Sequence, residues 1–213
     1  MLLMSWMAFG GEEGEGLGSG LETLDKVISG EADAELSSIL ISLNDLPPEY
    51  YSMYDRSGEF TTSPDRQKIA LRWFMSADPA SEPIPDEVIT MVSTVAVRVP
   101  RGVQPELKTK LKELKATNDC LLEGGQPEPG DEEDGITECR VSEVEDLGSV
   151  GIAIQMIMAS DGDAGDTYME SYLFERGGGV YALHISWTNG DISGVDGLAL
   201  AKIMDGRAQK ISN

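Results

Sequence analysis

Only one histidine occurs among the 213 residues, His184, so any serine or cysteine nucleophile activated by an imidazole would have to use it. It stands in the segment 180–188 (VYALHISWT), where Tyr181, Leu183, Ile185 and Trp187 alternate onto the opposite, apolar face of a strand. No partner is marked near it in sequence, and the expectation is a structural histidine on a half-exposed strand face. A second candidate is the turn SDGDAGDTYMES, which brings together Asp161, Asp163 and Asp166, with Glu170 beyond. Closely spaced oxygen ligands separated by glycines suit calcium, which takes six to eight oxygens, and these three aspartates are the candidate calcium ligands. An EF-hand loop starting at Asp161 would want glycine at 166 and glutamate at 172, where Asp166 and Tyr172 stand. A hydrophilic turn that uses Asp and Gly for their backbone chemistry is the competing reading.

The two cysteines, Cys120 and Cys139, enclose 18 residues rich in Gly, Pro, Glu and Asp. A disulfide between them would constrain a segment with almost no apolar residues, for roughly 3 kcal/mol in the loop-entropy picture. That pairing is the expectation, against two separate thiols in a reducing compartment. No His or third Cys is near enough in sequence to suggest zinc. With this many acids a carboxylate pair for hydrolysis is conceivable, but none stands in an apolar setting that would raise a pKa. Trp73, Phe74, Tyr181 and Trp187 read as core rather than as a sugar-stacking platform.

Thirty-eight acidic against 16 basic residues give a formal charge of −22, so a polyanion is repelled and nucleic-acid binding is not expected. Lys108, Lys110, Lys112 and Lys115, beside Glu106 and Glu113, read as a solvated helix face. The start 1–10 (MLLMSWMAFG) is apolar but lacks a basic region and a cleavage signature, and no stretch approaches the ~20 apolar residues of a transmembrane helix. Residues 10–20 alternate Gly and Glu and read as a flexible linker. The expected organisation is therefore an apolar start and linker over 1–20 and one domain over 21–213.

Positioning elements follow from periodicity. Leu21, Leu24, Val27 and Ile28 predict a short helix ending at Gly30, and a second apolar group, Leu36, Ile39, Leu40 and Leu43, is read as its continuation before Pro47-Pro48 turns the chain. Strands are predicted over 67–76, where a helix is the alternative, and over 87–99, 150–159, 167–176 and 180–188, with 177–179 (GGG) turning the last two into a tight hairpin. A helix is predicted over 105–117, and a second over 195–211 with Ser193, Gly194 and Asp196 as capping candidates. Between them, 119–146 carries eleven acids against Arg140 and is expected to be an acidic surface loop. Segregated strands and helices predict an α+β fold: an antiparallel sheet with a helix packed across it, closed by a C-terminal helix.

The order of these elements, with the segments DLPPEY, FERGGGVYALHISW and LALAKIMDGRAQKI, resembles uncharacterised secreted bacterial lipoprotein-type domains and, more loosely, the PsbP-like α/β/α sandwich. The likeness spans about 36–211 and implies an envelope-tethered binding or accessory module, without assigning an active residue. Together these features predict a non-catalytic, extracytoplasmic binding or assembly module with a protein or envelope partner. The alternative is a hydrolase using carboxylates or a divalent ion at Asp161, Asp163 and Asp166.

Overall fold

In a computed structural model of the chain, the described residues are 25–60, 67–77, 88–98, 109, 112–113, 136–159, 165–188 and 193–212. They form one eight-stranded antiparallel sheet: β1 Ile28–Ser29, β2 Tyr51–Phe60, β3 Lys68–Met75, β4 Thr90–Arg98, β5 Ile136–Glu143, β6 Val150–Met158, β7 Thr167–Arg176 and β8 Gly179–Thr188. Their order across the sheet is β1-β2-β3-β4-β8-β7-β6-β5, so two meanders meet where β4 pairs with β8. Two helices, α1 Ala34–Ile39 and α2 Gly197–Ser212, accompany it, with a short 3-10 turn at Leu43–Asp45. Strand dominates, so the α+β expectation stands in its coarse form, an antiparallel sheet with a few short helices and a helix at the C-terminus.

The predicted strands at 67–76, 87–99, 150–159, 167–176 and 180–188 all form. Three further strands lie where none was predicted. β2 (YSMYDRSGEF) carries five polar or charged residues and a glycine; the two-residue β1 covers only its Glu59–Phe60 end, and little of β2 is buried. β5 occupies part of the segment expected to be an acidic loop; its acids Glu138 and Glu143 project to solvent while Cys139 and Val141 pack inward. The expected helix before Gly30 gives way after Val27 to β1, whose Ile28 is fully buried against β2. Of the predicted helix over 105–117, Thr109, Lys112 and Glu113 are described and helical.

Both faces of the sheet are apolar. On the first, Phe74, Val92, Phe174, Leu183 and Ile185 pack under α1 and α2 through Leu36, Ile39, Leu200, Ala201, Met204 and Ala208. Ile203, predicted for that stripe, faces solvent. On the second, Ile69, Leu71, Trp73, Val95, Val97, Ile152, Ile154 and Leu173 form a separate cluster. Burial on both sides explains why β3 and β4 read as nearly continuous apolar runs.

The hairpin between β7 and β8 turns through Gly177 (φ 60°) and Gly178 (φ 83°). Two consecutive left-handed residues make the turn whose twist matches the strands it joins, and glycine adopts that conformation without penalty. The turn pairs Arg176 with Gly179 and thereby sets every pair further out, to Thr167 with Thr188.

Ion pairs fix the helices. Arg207 on α2 donates to both oxygens of Asp45 at 2.8 and 2.9 Å and to the carbonyl of Leu40 at 2.7 Å. Burial alone would push the Asp45 carboxyl up, but Ser42 N–H and O–H and the guanidinium outweigh it and hold the group below its usual 3.8. On the other side, Arg176 forks onto Asp205 of α2 and reaches the carbonyl of Gly148. Asp33 caps α1, accepting from Leu36 N–H at 3.0 Å, and pairs with Lys68 of β3 at 3.1 Å.

Two stability predictions follow from the first face. Arg207→Ala leaves Asp45 largely buried without its partner and should cost about 2–3 kcal/mol in urea unfolding, with Arg207→Lys recovering only part because it cannot fork. Thr94 is fully buried among these apolar side chains, and its Oγ1 has no hydrogen-bond partner among the described residues. Thr94→Val removes that hydroxyl at nearly constant volume and should raise stability by about 1 kcal/mol.

Candidate functional site

Register alone assembles a groove at one end of the first face. Pairing places Tyr168 opposite Trp187 on β8 and Ile157 on β6, and Glu170 opposite Ile185 and Gln155. On the outer side Gln155 pairs with Arg140, and Glu138 pairs with Ile157. These side chains, with Ser193, Gly194, Val195 and Asp196 ahead of α2, line an open groove of about 750 Å³.

Its floor is aromatic. The rings of Tyr168 and Trp187 stack with centroids 5.6 Å apart and planes 14° from parallel, and both residues are half-buried. Trp73, Phe74 and Tyr181 are core, as predicted, whereas Trp187 belongs to this groove.

Beside the rings, Glu170 is held in one pose. Tyr172 O–H donates to Glu170 Oε1 at 2.7 Å and the Gln155 amide donates to the same oxygen at 3.2 Å. Burial, then the contact with Glu170, pushes the Tyr172 phenol far above its usual value, so it stays a donor. Helix α2 begins directly over this pair. A Cβ at Gly197 would lie 2.7 Å from Glu170 Oε2 and 2.7 Å from the Tyr172 ring, so a larger residue there would displace these side chains or the helix start. Asp196 caps the helix, its Oδ1 accepting from Ala199 N–H at 2.9 Å, which makes it the one of the three predicted candidates that caps through its side chain.

His184 lies on the other face, in a row that runs Tyr54, Trp73, Ser93, His184, Ser171, Ile154, Val141 across six neighbouring pairs. His184 is half-buried, as expected, and the centre of this row, Ser93, His184 and Ser171, is polar. Ser171 Oγ is 2.6 Å from Nδ1. That is a nucleophile–base distance, but no carboxylate orients the ring among the described residues. His184 keeps some accessible surface, yet the protein packed round it lowers its pKa from 6.5 to about 4, which leaves a weak base at neutral pH.

Of the three predicted calcium ligands, one is among the described residues. Asp166 is exposed just ahead of β7, Asp161 and Asp163 lie outside the described residues, and no group of three metal-binding side chains occurs among those described. Cys139 is half-buried on β5 opposite Met156, and no free thiol occurs among the described residues; Cys120 lies outside them. No helix among the described residues is long and apolar enough to cross a membrane.

Glu170 entered the sequence reading only as an outlier of the aspartate turn, and Gln155 and Tyr168 did not enter as site residues. A signal was present: counting outward from the glycine turn puts Tyr168 opposite Trp187, and Glu170 and Tyr172 follow at the same parity. The sequence matches no family model and no curated protein.

The pH dependence of His184 is testable. Between pH 6.5 and 4 the unfolded chain takes up its proton before the folded one, so this contribution is intact above pH 6.5 and is lost as pH falls through 4. The full shift corresponds to roughly 3 kcal/mol at 1.36 kcal/mol per pKa unit. His184→Gln should flatten the fall of Tm over that interval relative to wild type. Equal slopes in the two proteins would contradict the assignment.

Proposed function

We propose that this chain is a non-catalytic binding or assembly module working in an extracytoplasmic, oxidising space, and that the groove at the head of α2 is where it holds its partner. The observation that carries this reading is the open groove with a stacked aromatic floor and a carboxylate fixed by two donors. Such concave surfaces, part apolar with a few oriented polar groups, suit recognition.

The arrangement is poorly suited to hydrolysis. Retaining and inverting hydrolases need one carboxyl kept protonated near neutral pH. Among the described residues the Asp33 and Asp45 carboxyls are held below their usual range, and both serve helix ends. The Ser171–His184 contact lies on the opposite face from the groove and has a weak base.

The compartment rests on the Cys120–Cys139 pairing expected from sequence, supported by the lack of a free thiol among the described residues. The likeness to secreted lipoprotein-type domains belongs to the same reading, as does a helix layer packed across the sheet in an α+β fold.

The test uses the full chain in three measurements. As bait in native membranes and medium it should recover a specific partner. The unreduced protein should have a mass two hydrogens below that of the reduced one. Against ester, glycoside and peptide substrates, with and without millimolar calcium, it should show no turnover. Turnover that requires calcium and disappears in Glu170→Gln would replace this reading with the hydrolase.

A further inference from the structure

Resting on the reading of the chain as a binding module, we propose that the groove receives a lysine or arginine side chain from a basic segment of a partner protein. Charge supplies the first argument. Among the described residues, Glu138, Glu170 and Asp196 line the groove with Arg140 as the basic residue in its lining, in a chain of net charge −22. A basic segment is steered toward such a surface and a polyanion is repelled.

Ring chemistry supplies the second. Tyr168 and Trp187 stack rather than meeting edge to face, and both are half-buried, so each ring keeps one electron-rich face that its neighbour does not cover. An ammonium or guanidinium over an indole or phenol face gains about two- to fivefold in affinity at a partly exposed site, and Trp is the best of the rings. Leucine or an acidic side chain gains nothing comparable.

Orientation supplies the third. Glu170 receives Tyr172 O–H and the Gln155 amide on Oε1, so the carboxylate is already ordered before a cation arrives. Preorganisation of this kind reduces the entropy lost on binding. Its other oxygen lies against the start of α2, where a Cβ at residue 197 would be 2.7 Å away. The cation therefore meets a fixed acceptor with a ring surface next to it. The described acids do not gather into a group of three that could hold a bare metal ion, and a groove of about 750 Å³ is several times larger than one side chain needs. Both facts favour a side chain carried on a longer segment over a free ion.

The experiment is an amide and indole NMR titration of the full-length protein with three blocked tripeptides, Gly-Arg-Gly, Gly-Leu-Gly and Gly-Glu-Gly, and separately with calcium chloride. The expected result is shifts at Gln155, Tyr168, Glu170, Trp187 and Gly197 with the arginine peptide alone. They should weaken at 1 M salt, fall fivefold or more in affinity in Glu170→Gln, and fall two- to fivefold in Tyr168→Leu. Glu170→Gln keeps the size and hydrogen-bonding capacity of the side chain, so it serves if Tyr168→Leu fails to fold. Equal shifts with the leucine peptide, undiminished in Glu170→Gln, would overturn the cation assignment and leave the binding reading standing. Calcium moving the same resonances while the arginine peptide does not would also overturn it. Silence toward every probe overturns the assignment if the full chain still recovers a partner, and overturns both readings if it does not.

Discussion

Helix α2 is the part on which the first face depends, and two arginine forks hold it. Arg207 ties its outer side to Asp45 and the Leu40 carbonyl, and Arg176 ties the β7–β8 hairpin to Asp205. Neither pair is freely exposed: the Asp45 and Asp205 side chains keep 13 % and 9 % of their surface. Ion pairs taken out of water add little net stability, but removing one partner is expensive, so their effect is to penalise every other placement of the helix. Apolar burial through Leu200, Ala201, Met204 and Ala208 supplies the attraction, and the forks supply the position.

That position reaches the groove directly. Because α2 starts at Gly197 over Glu170 and Tyr172, the same placement that closes the core sets one wall of the open site. Core packing and groove lining are thus separated along a single strand. In β7, Phe174 belongs to the core, Tyr172 touches both core and site, and Glu170 and Tyr168 belong to the groove. The opposite face shows the contrast. There the polar pair Ser171 and His184 is set among apolar neighbours and satisfies itself with a single contact.

Much of this was legible in the sequence and some was not. β4 and the β7–β8 hairpin announced themselves through β-branched runs and a glycine turn, which report local backbone preference. β2 and β5 did not, because little-buried strands with polar outward residues lack the apolar alternation that marks a half-buried strand; Glu138, Arg140 and Glu143 looked like loop for this reason. The groove was hidden for a different reason. Its residues come from four strands and a loop, and only their register unites them. The turn at 177–178 carried that information, as an offset rather than a motif. The acid-rich turn at 161–166 attracted attention by composition, while the ordered carboxylate was a lone glutamate inside a strand. Hydrogen bonds from Tyr172 and Gln155 distinguish it, and neither is a sequence neighbour of the usual kind.

Gly197 also makes the interior of this protein and the width of its groove a single adjustable quantity. Elsewhere on α2 a substitution can vary its outer surface without changing what lies beneath, since Lys202 and Ile203 face solvent. At Gly197 even one methyl group meets Glu170, Tyr172 and Ile185 at once, within 2.8 Å. Those side-chain ends or the helix start would have to shift, and either movement changes the groove wall and the core beneath it together. The width of the groove is therefore limited by the packing beneath it as well as by the chemistry of its lining.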